Sequence, residues 1–204
     1  PNLEGFGPML PGVVNVAPDD EEAMKQVFAD HGPEIAAVVT EPVQGASGVW
    51  PPHPGYLEHL RDLCDAHGAY LVFDEVITGF GRLGTWFAAQ YYGVTPDLIT
   101  FAKAITSGYV PLSGVIVGPA PRAALEANEG FLLRTGYTYS GHPNACAAGL
   151  ANLDIIELEG LLDAATHVGA RLGDGQRSHA DDGVIAGVRG DVAVWAAALP
   201  DGAN

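Results

Sequence analysis

Three consecutive apolar runs in this 204-residue chain end in charge. Glu41 closes "IAAVVT", Asp74 and Glu75 close "AYLVF", and Lys103 closes "LITFA". A lysine in a partly apolar crevice loses hydration in its charged form, so its neutral amine becomes available as a nucleophile and a base. That is the requirement for a Schiff base with a carbonyl compound. An aspartate one or two strands away suits a second task, holding a proton on a heteroaromatic nitrogen. After Lys103 the segment "AITSGYVPLSG" is small and turn-forming, which lets backbone and ligand approach closely. The competing reading is structural: Asp74 and Lys103 as a buried ion pair, or as solvated strand ends in a non-catalytic α/β module.

Those side chains need elements to hold them. The runs "IAAVVT", "AYLVFDE", "DLITFAK" and "SGVIVG" read as short strands, and "DDEEAMKQVFADHG" and "PGYLEHLRDLCDAHG" as helices with apolar residues at helical spacing. Apolar strands separated by helical stretches imply a mostly parallel sheet covered on both faces. In such sheets ligands bind at the carboxyl ends of the strands, where the four charges fall. From His142 onward the pattern becomes a long helical run with a break near Gly160, and "GVIAGVRGDVAVWAAAL" returns to strands. A boundary is expected near residue 170, giving units 1–170 and 171–204. The opening, Pro1 to Pro18, is rich in Pro and Gly and shows no period. The chain begins at Pro1 without an initiator methionine and stops just after "DVAVWAAAL", so a fragment is expected.

Composition narrows the partners. Acidic residues outnumber Lys and Arg 25 to 9, and a net charge of −16 opposes nucleic acid and anionic membrane surfaces. No apolar run approaches the roughly 20 residues of a membrane helix, and no secretory signal is recognisable. The two cysteines, Cys64 and Cys146, have neither disulfide-framework nor zinc spacing, so a cytoplasmic setting is expected, with no metal.

Other motifs compete with the charged strand ends. "GFGRLG", Gly79 to Gly84, fits the dinucleotide pattern G-x-G-x-x-G by letter. The intervening "DEVIT" would set two carboxylates beside a pyrophosphate, and Lys103 stands where a ribose-binding acid belongs. His53, His59 and His67 do not place two ligands on one helical turn. Ser140 and His142 lack a strand-turn-helix elbow.

With these residues in view, four stretches together resemble the class III aminotransferases, pyridoxal-phosphate enzymes of fold type I. They are "VVTEPVQGASGV", "LVFDEVITGFGRLG", "DLITFAKAITSGYVPLSGVIV" and "TGYTYSGHPNACAAGLA", in family order, from roughly Ile35 to Glu157. The resemblance implies a three-layer α/β sandwich with a mostly parallel sheet, followed by the start of a smaller α+β C-terminal domain. It implies transfer of an amino group from an ω-amino acid or amine to a keto acid such as pyruvate. "DEVITGFGR" and "TYSGHP" most resemble that branch; ornithine, acetylornithine and 4-aminobutyrate aminotransferases often carry glutamine where this chain has Ile77. Those branches, and an aminomutase, are the alternatives.

By motif, Lys103 would form the Schiff base with pyridoxal 5′-phosphate and shuttle the proton. Asp74 would pair with the pyridine nitrogen, and Val76 would pack against one face of the ring. Thr138 would reach the cofactor phosphate of the partner subunit in a homodimer. Glu41 is a substrate-side or hydrogen-bonding candidate, and Arg82 a structural element of the glycine-rich turn. Ala104 and Ser113 stand where many members have glycine, and Thr135 where histidine is common. The family's phosphate cup, ring-stacking aromatic and carboxylate-binding arginine are not found in Pro1 to Asn204. The 204 residues alone are therefore expected to be inactive.

Overall fold

Asp20 starts the first helix by accepting the Ala23 N–H at 2.9 Å, and Glu21 and Glu22 in the first turn complement the helix dipole. This helix, α1 (Glu21–His31), buries Met24 and Phe28. The structure, a computed structural model, describes residues 10–127 and 132–200 together with 5, 7, 8, 130 and 202. Residues 1–4, 6 and 9 of the opening stretch lie outside them. Helix α2 (Tyr56–His67) turns Tyr56, Leu57, Leu60 and Cys64 inward and ends at Gly68, whose φ of 71° is the left-handed cap glycine adopts without strain.

Four strands make the sheet: β1 (Ala37–Thr40), β2 (Tyr70–Asp74), β3 (Leu98–Phe101) and β4 (Gly114–Val117). Their spatial order is β1-β2-β3-β4, with the first three parallel and β4 antiparallel to β3. Helix α2 makes the crossover from β1 to β2, and the short helix α3 (Ala88–Tyr92) lies between β2 and β3. Period-two alternation sends Leu71 and Phe73 into the core formed with Phe28, Leu57, Leu60 and Cys64. Tyr70, Val72 and Asp74 therefore belong to the opposite face, which leaves Val39, Val115 and Val117 of its neighbouring strands exposed. The sequence predicts helices over both faces; α1 and α2 cover one.

Helix α4 (Pro119–Glu126) follows the sheet. Helices α5 (Pro143–Leu158) and α6 (Leu161–Asp181) are separated at Gly160, in left-handed backbone with φ 62°, where the sequence predicts the break. Among the described residues no helix is long and apolar enough to cross a membrane. The chain closes with an antiparallel hairpin, β5 (Gly187–Asp191) and β6 (Val194–Ala198), forming its own two-stranded sheet. Residue 170 falls inside α6, which carries the chain from the first layer to this hairpin.

The hairpin docks on α6 where the helix has no side chains. A Cβ added at Gly169 would meet the Val192 carbonyl, and one at Gly173 would meet the Trp195 ring. An alanine in a helix is worth roughly 1 kcal/mol over glycine, whereas overpacking costs roughly 1–3 kcal/mol. Gly169→Ala is thus expected to lower stability in urea by about 1 kcal/mol. Gly175→Ala, on the same helix with nothing within 4 Å, is expected to raise it by about 0.5–1 kcal/mol. Equal gains at both positions would mean the hairpin does not press on α6.

Candidate functional site

Asp74 ends β2 directly opposite Thr100 of β3, and its Oδ1 accepts the Val76 N–H at 3.1 Å, so the chain turns at once out of the strand. Alternation sends the next residue the other way. Glu75 is fully buried, and its carboxylate accepts the Thr78 hydroxyl at 3.0 Å and the N–H groups of Ala88 and Ala89 at 2.5 and 2.9 Å. The sequence predicts Asp74 and Glu75 as one charged strand end; the structure makes Glu75 the cap of α3.

The burial pushes the Glu75 carboxyl above its ordinary 4.5, against the pull of the Ala89 and Ala88 N–H groups and the Thr78 hydroxyl. The folded chain then binds this proton more tightly than the unfolded one. Its contribution to stability therefore falls as pH rises through the window above 4.5. Glu75→Gln is expected to flatten that slope in denaturation curves taken from pH 4 upward. Glu75→Ala strands three donors and is expected to destabilise by about 3 kcal/mol.

The same carboxylate disposes of the dinucleotide reading. Gly79 donates its N–H to the Glu75 carbonyl at 2.9 Å, and α3 begins four residues beyond Gly84 with its first free N–H groups already held by Glu75. A pyrophosphate would need that helix terminus.

Lys103 opens a 3-10 turn, Lys103–Thr106, immediately after β3. Its φ is 44°, and Ser107 at the far end of the turn has φ 49°. Such backbone in non-glycine residues costs on the order of 1–3 kcal/mol each. The sequence predicts a lysine in a partly apolar crevice; Lys103 stands past the strand end, exposed in this chain and on the wall of a cavity. Among the described residues no ion pair engages its amine, so the Asp74–Lys103 pairing is not formed. The acid–base pair that does stabilise the sheet is elsewhere: Arg61 of α2 meets Asp97 at 2.8 Å, and Asp97 also accepts the Leu71 N–H.

Lys103 and Val76 share a cavity of about 580 Å³ whose walls also include Ile77, Arg82, Ser107 and Trp195. The far wall is the tip of the β5–β6 hairpin. It is tied down by the Ala193 N–H on the Arg82 carbonyl at 3.1 Å, the Tyr91 hydroxyl on Asp191 at 2.8 Å and Arg189 on the Gly48 carbonyl at 3.0 Å. Nothing local in the sequence brings Trp195 to Lys103. Glu41 lies outside this cavity, with Oε2 accepting the Gly45 N–H at 2.9 Å. Thr138 also lies outside it, exposed in the loop before α5.

The donor set suits a protonated heteroaromatic ring that carries an aldehyde. Lys103 offers a primary amine and Val76 an aliphatic surface in the cavity wall, while Asp74, outside that lining at the end of β2, offers a carboxylate with one oxygen turned to its own backbone. The Thr100 hydroxyl, on the Asp74 face of the sheet, is buried without a hydrogen-bond partner. These residues fit pyridoxal phosphate.

Comparison with known proteins agrees with that fit. The family model described as Aminotransferase class-III matches residues 2–204. A β-alanine–pyruvate aminotransferase from Pseudomonas aeruginosa is 45% identical over 157 residues, 72% of this chain and 34% of the relative. The solved (S)-enantioselective omega-transaminase from Thermomicrobium roseum matches with a TM-score of 0.89 at 39% identity, over 97% of this chain and 48% of that one. An amine transaminase from an uncultivated Pseudomonas species, solved in the PLP-bound (internal aldimine) form, matches at 0.79 and 43% identity, over 84% of this chain and 39% of that one. The chain thus spans less than half the length of each.

Proposed function

Because the chain belongs to the class III aminotransferase family, we propose that the protein moves amino groups from an ω-amino acid or simple amine to a keto acid such as pyruvate, using pyridoxal phosphate carried on Lys103. The observation that carries this reading is the Lys103 amine, engaged in no ion pair among the described residues. It lies beyond β3, beside the strand that ends in Asp74, and shares a cavity with Val76.

Bound pyridoxal phosphate supplies an aldehyde carbon for a primary amine and a ring that accepts negative charge. Lys103 would hold it covalently, give way to the amine of the donor, then take the proton from the donor carbon that bears nitrogen. Asp74 would keep the ring nitrogen protonated by offering a negative charge beside it. Val76 would lie against the ring. Glu41 keeps Oε1 for a substrate-side hydrogen bond while Oε2 holds its own loop.

The donor class is supported by Ile77, which puts an aliphatic side chain in the cavity wall, and by the β-alanine–pyruvate relative. In this reading the protein is a homodimer, with Thr138 serving the partner's site; the exposed Tyr137 and Tyr139 beside it support an interface there. Residues 1–170 belong to the cofactor-binding large domain and 171–204 begin the small one, a division supported by the separate two-stranded sheet. Two free cysteines, Cys64 and Cys146, suit a cytoplasmic setting.

The test is reduction of the full-length protein with borohydride in the presence of pyridoxal phosphate, followed by peptide mapping. Label on the peptide containing Lys103 is expected. Label elsewhere, or none, would overturn the assignment.

A further inference from the structure

The turn that presents Lys103 is held partly by its own chain and partly from α5. Around its single helical turn the chain adds Ile105 N–H to the Ala102 carbonyl at 3.2 Å, Ser107 N–H to the Ala104 carbonyl at 3.1 Å, Tyr109 N–H to the Thr106 carbonyl at 3.1 Å and the Thr106 hydroxyl to the Val110 carbonyl. Both bracketing residues, Lys103 and Ser107, have positive φ without being glycine. Such backbone persists only where the surroundings over-determine it.

Among the surroundings, one side chain bonds to three groups of the turn. Asn152 of α5 donates from Nδ2 to the Ala104 carbonyl at 2.8 Å and to the Ile105 carbonyl at 3.2 Å. Its Oδ1 accepts the Ser107 hydroxyl at 2.7 Å. A planar amide with two donors and one acceptor matches two carbonyls and a hydroxyl; neither leucine nor aspartate does. Gly149, three residues earlier on the same helical face, lets α5 come against Ile105, and a Cβ there would stand 3.1 Å from Leu112.

We propose that Asn152 is a positioning residue whose amide clamps the 103–107 turn and so aims the Lys103 amine. The inference rests on the role given to Lys103 above. The direction of the lysine's Cα–Cβ bond is set by the backbone that Asn152 grips. A reacting group displaced by 1 Å can lose on the order of 100-fold in rate.

The test uses the full-length holoenzyme and three readouts: kcat and KM, the midpoint of the pH titration of the cofactor absorbance, and the rate of borohydride trapping on the Lys103 peptide. Asn152→Ala is expected to lower kcat about tenfold with little change in KM, to move the titration midpoint and to slow trapping. Asn152→Asp retains the Ser107 contact but loses both donors, and decides by the same readouts if the alanine variant does not fold. Ile156→Val, at a buried position on the same helix, is the control for a purely structural effect. An Asn152 variant with the parent's midpoint, trapping rate and kcat, or one matched in all three by Ile156→Val, would overturn the proposal. Trapping that still maps to Lys103 in the parent would then leave the Lys103 assignment standing.

Discussion

Lys103→Ala is expected to lower kcat by at least about a thousandfold in the full-length protein, while the fold is kept. The lysine performs two tasks in the proposed reaction, covalent attachment and proton transfer. The second alone is worth on the order of 10²–10⁴ in rate. Lys103→Arg is expected to fail as well, because a guanidinium stays protonated and cannot serve as a base. Among the described residues, Lys103 makes no contact within the hydrophobic clusters of this chain. Lys103→Gly makes the sharper experiment. At φ 44° a glycine releases strain of roughly 1–2 kcal/mol, so this variant is expected to be more stable than its parent and equally inactive. Thermal denaturation beside steady-state kinetics checks both halves. A variant at 103 that kept normal turnover would remove the lysine from the mechanism.

Asp74→Asn is expected to reduce kcat by roughly 10- to 1000-fold. An adjacent opposite charge shifts a titrating group by roughly 1–3 pKa units, at 1.36 kcal/mol per unit, and the asparagine removes that charge from beside the ring nitrogen. The substitution is nearly isosteric, and its side-chain oxygen can still accept the Val76 N–H, so stability is expected to stay close to the parent's. Glu75→Gln, one residue on, should behave in the opposite way: kcat near the parent's and an altered dependence of stability on pH. If the two neighbours gave the same pattern, the separation of a cofactor face from a structural face at the end of β2 would be wrong.

That pair also shows what local pattern can and cannot carry. The strand ending in Asp74 and Glu75 is legible from its apolar run, and alternation dictates that the two acids point to opposite faces. Which face meets helix and which meets ligand depends on where α2 and α3 dock, and no residue between 70 and 75 states it. The same holds for "GFGRLG". Its letters fit a phosphate loop, yet the glycines lead to a helix terminus that Glu75 already occupies.

Chemistry-bearing residue types, their order along the chain and the strand ends they occupy are short-range properties, and they were enough to identify a mostly parallel sheet, a lysine and an aspartate on adjacent strands, and the family pattern. Three things came only from tertiary contacts. One is the cavity that Lys103 shares with Val76 and Ile77 of a different loop. Another is the hairpin wall with Trp195, brought to the lysine by α6 and its docking glycines. The last is the Asn152 clamp, which joins groups 45 to 48 positions apart. Hydrogen-bond partners at that separation leave no periodicity in the sequence, because the folded path between them, not their spacing, makes them neighbours.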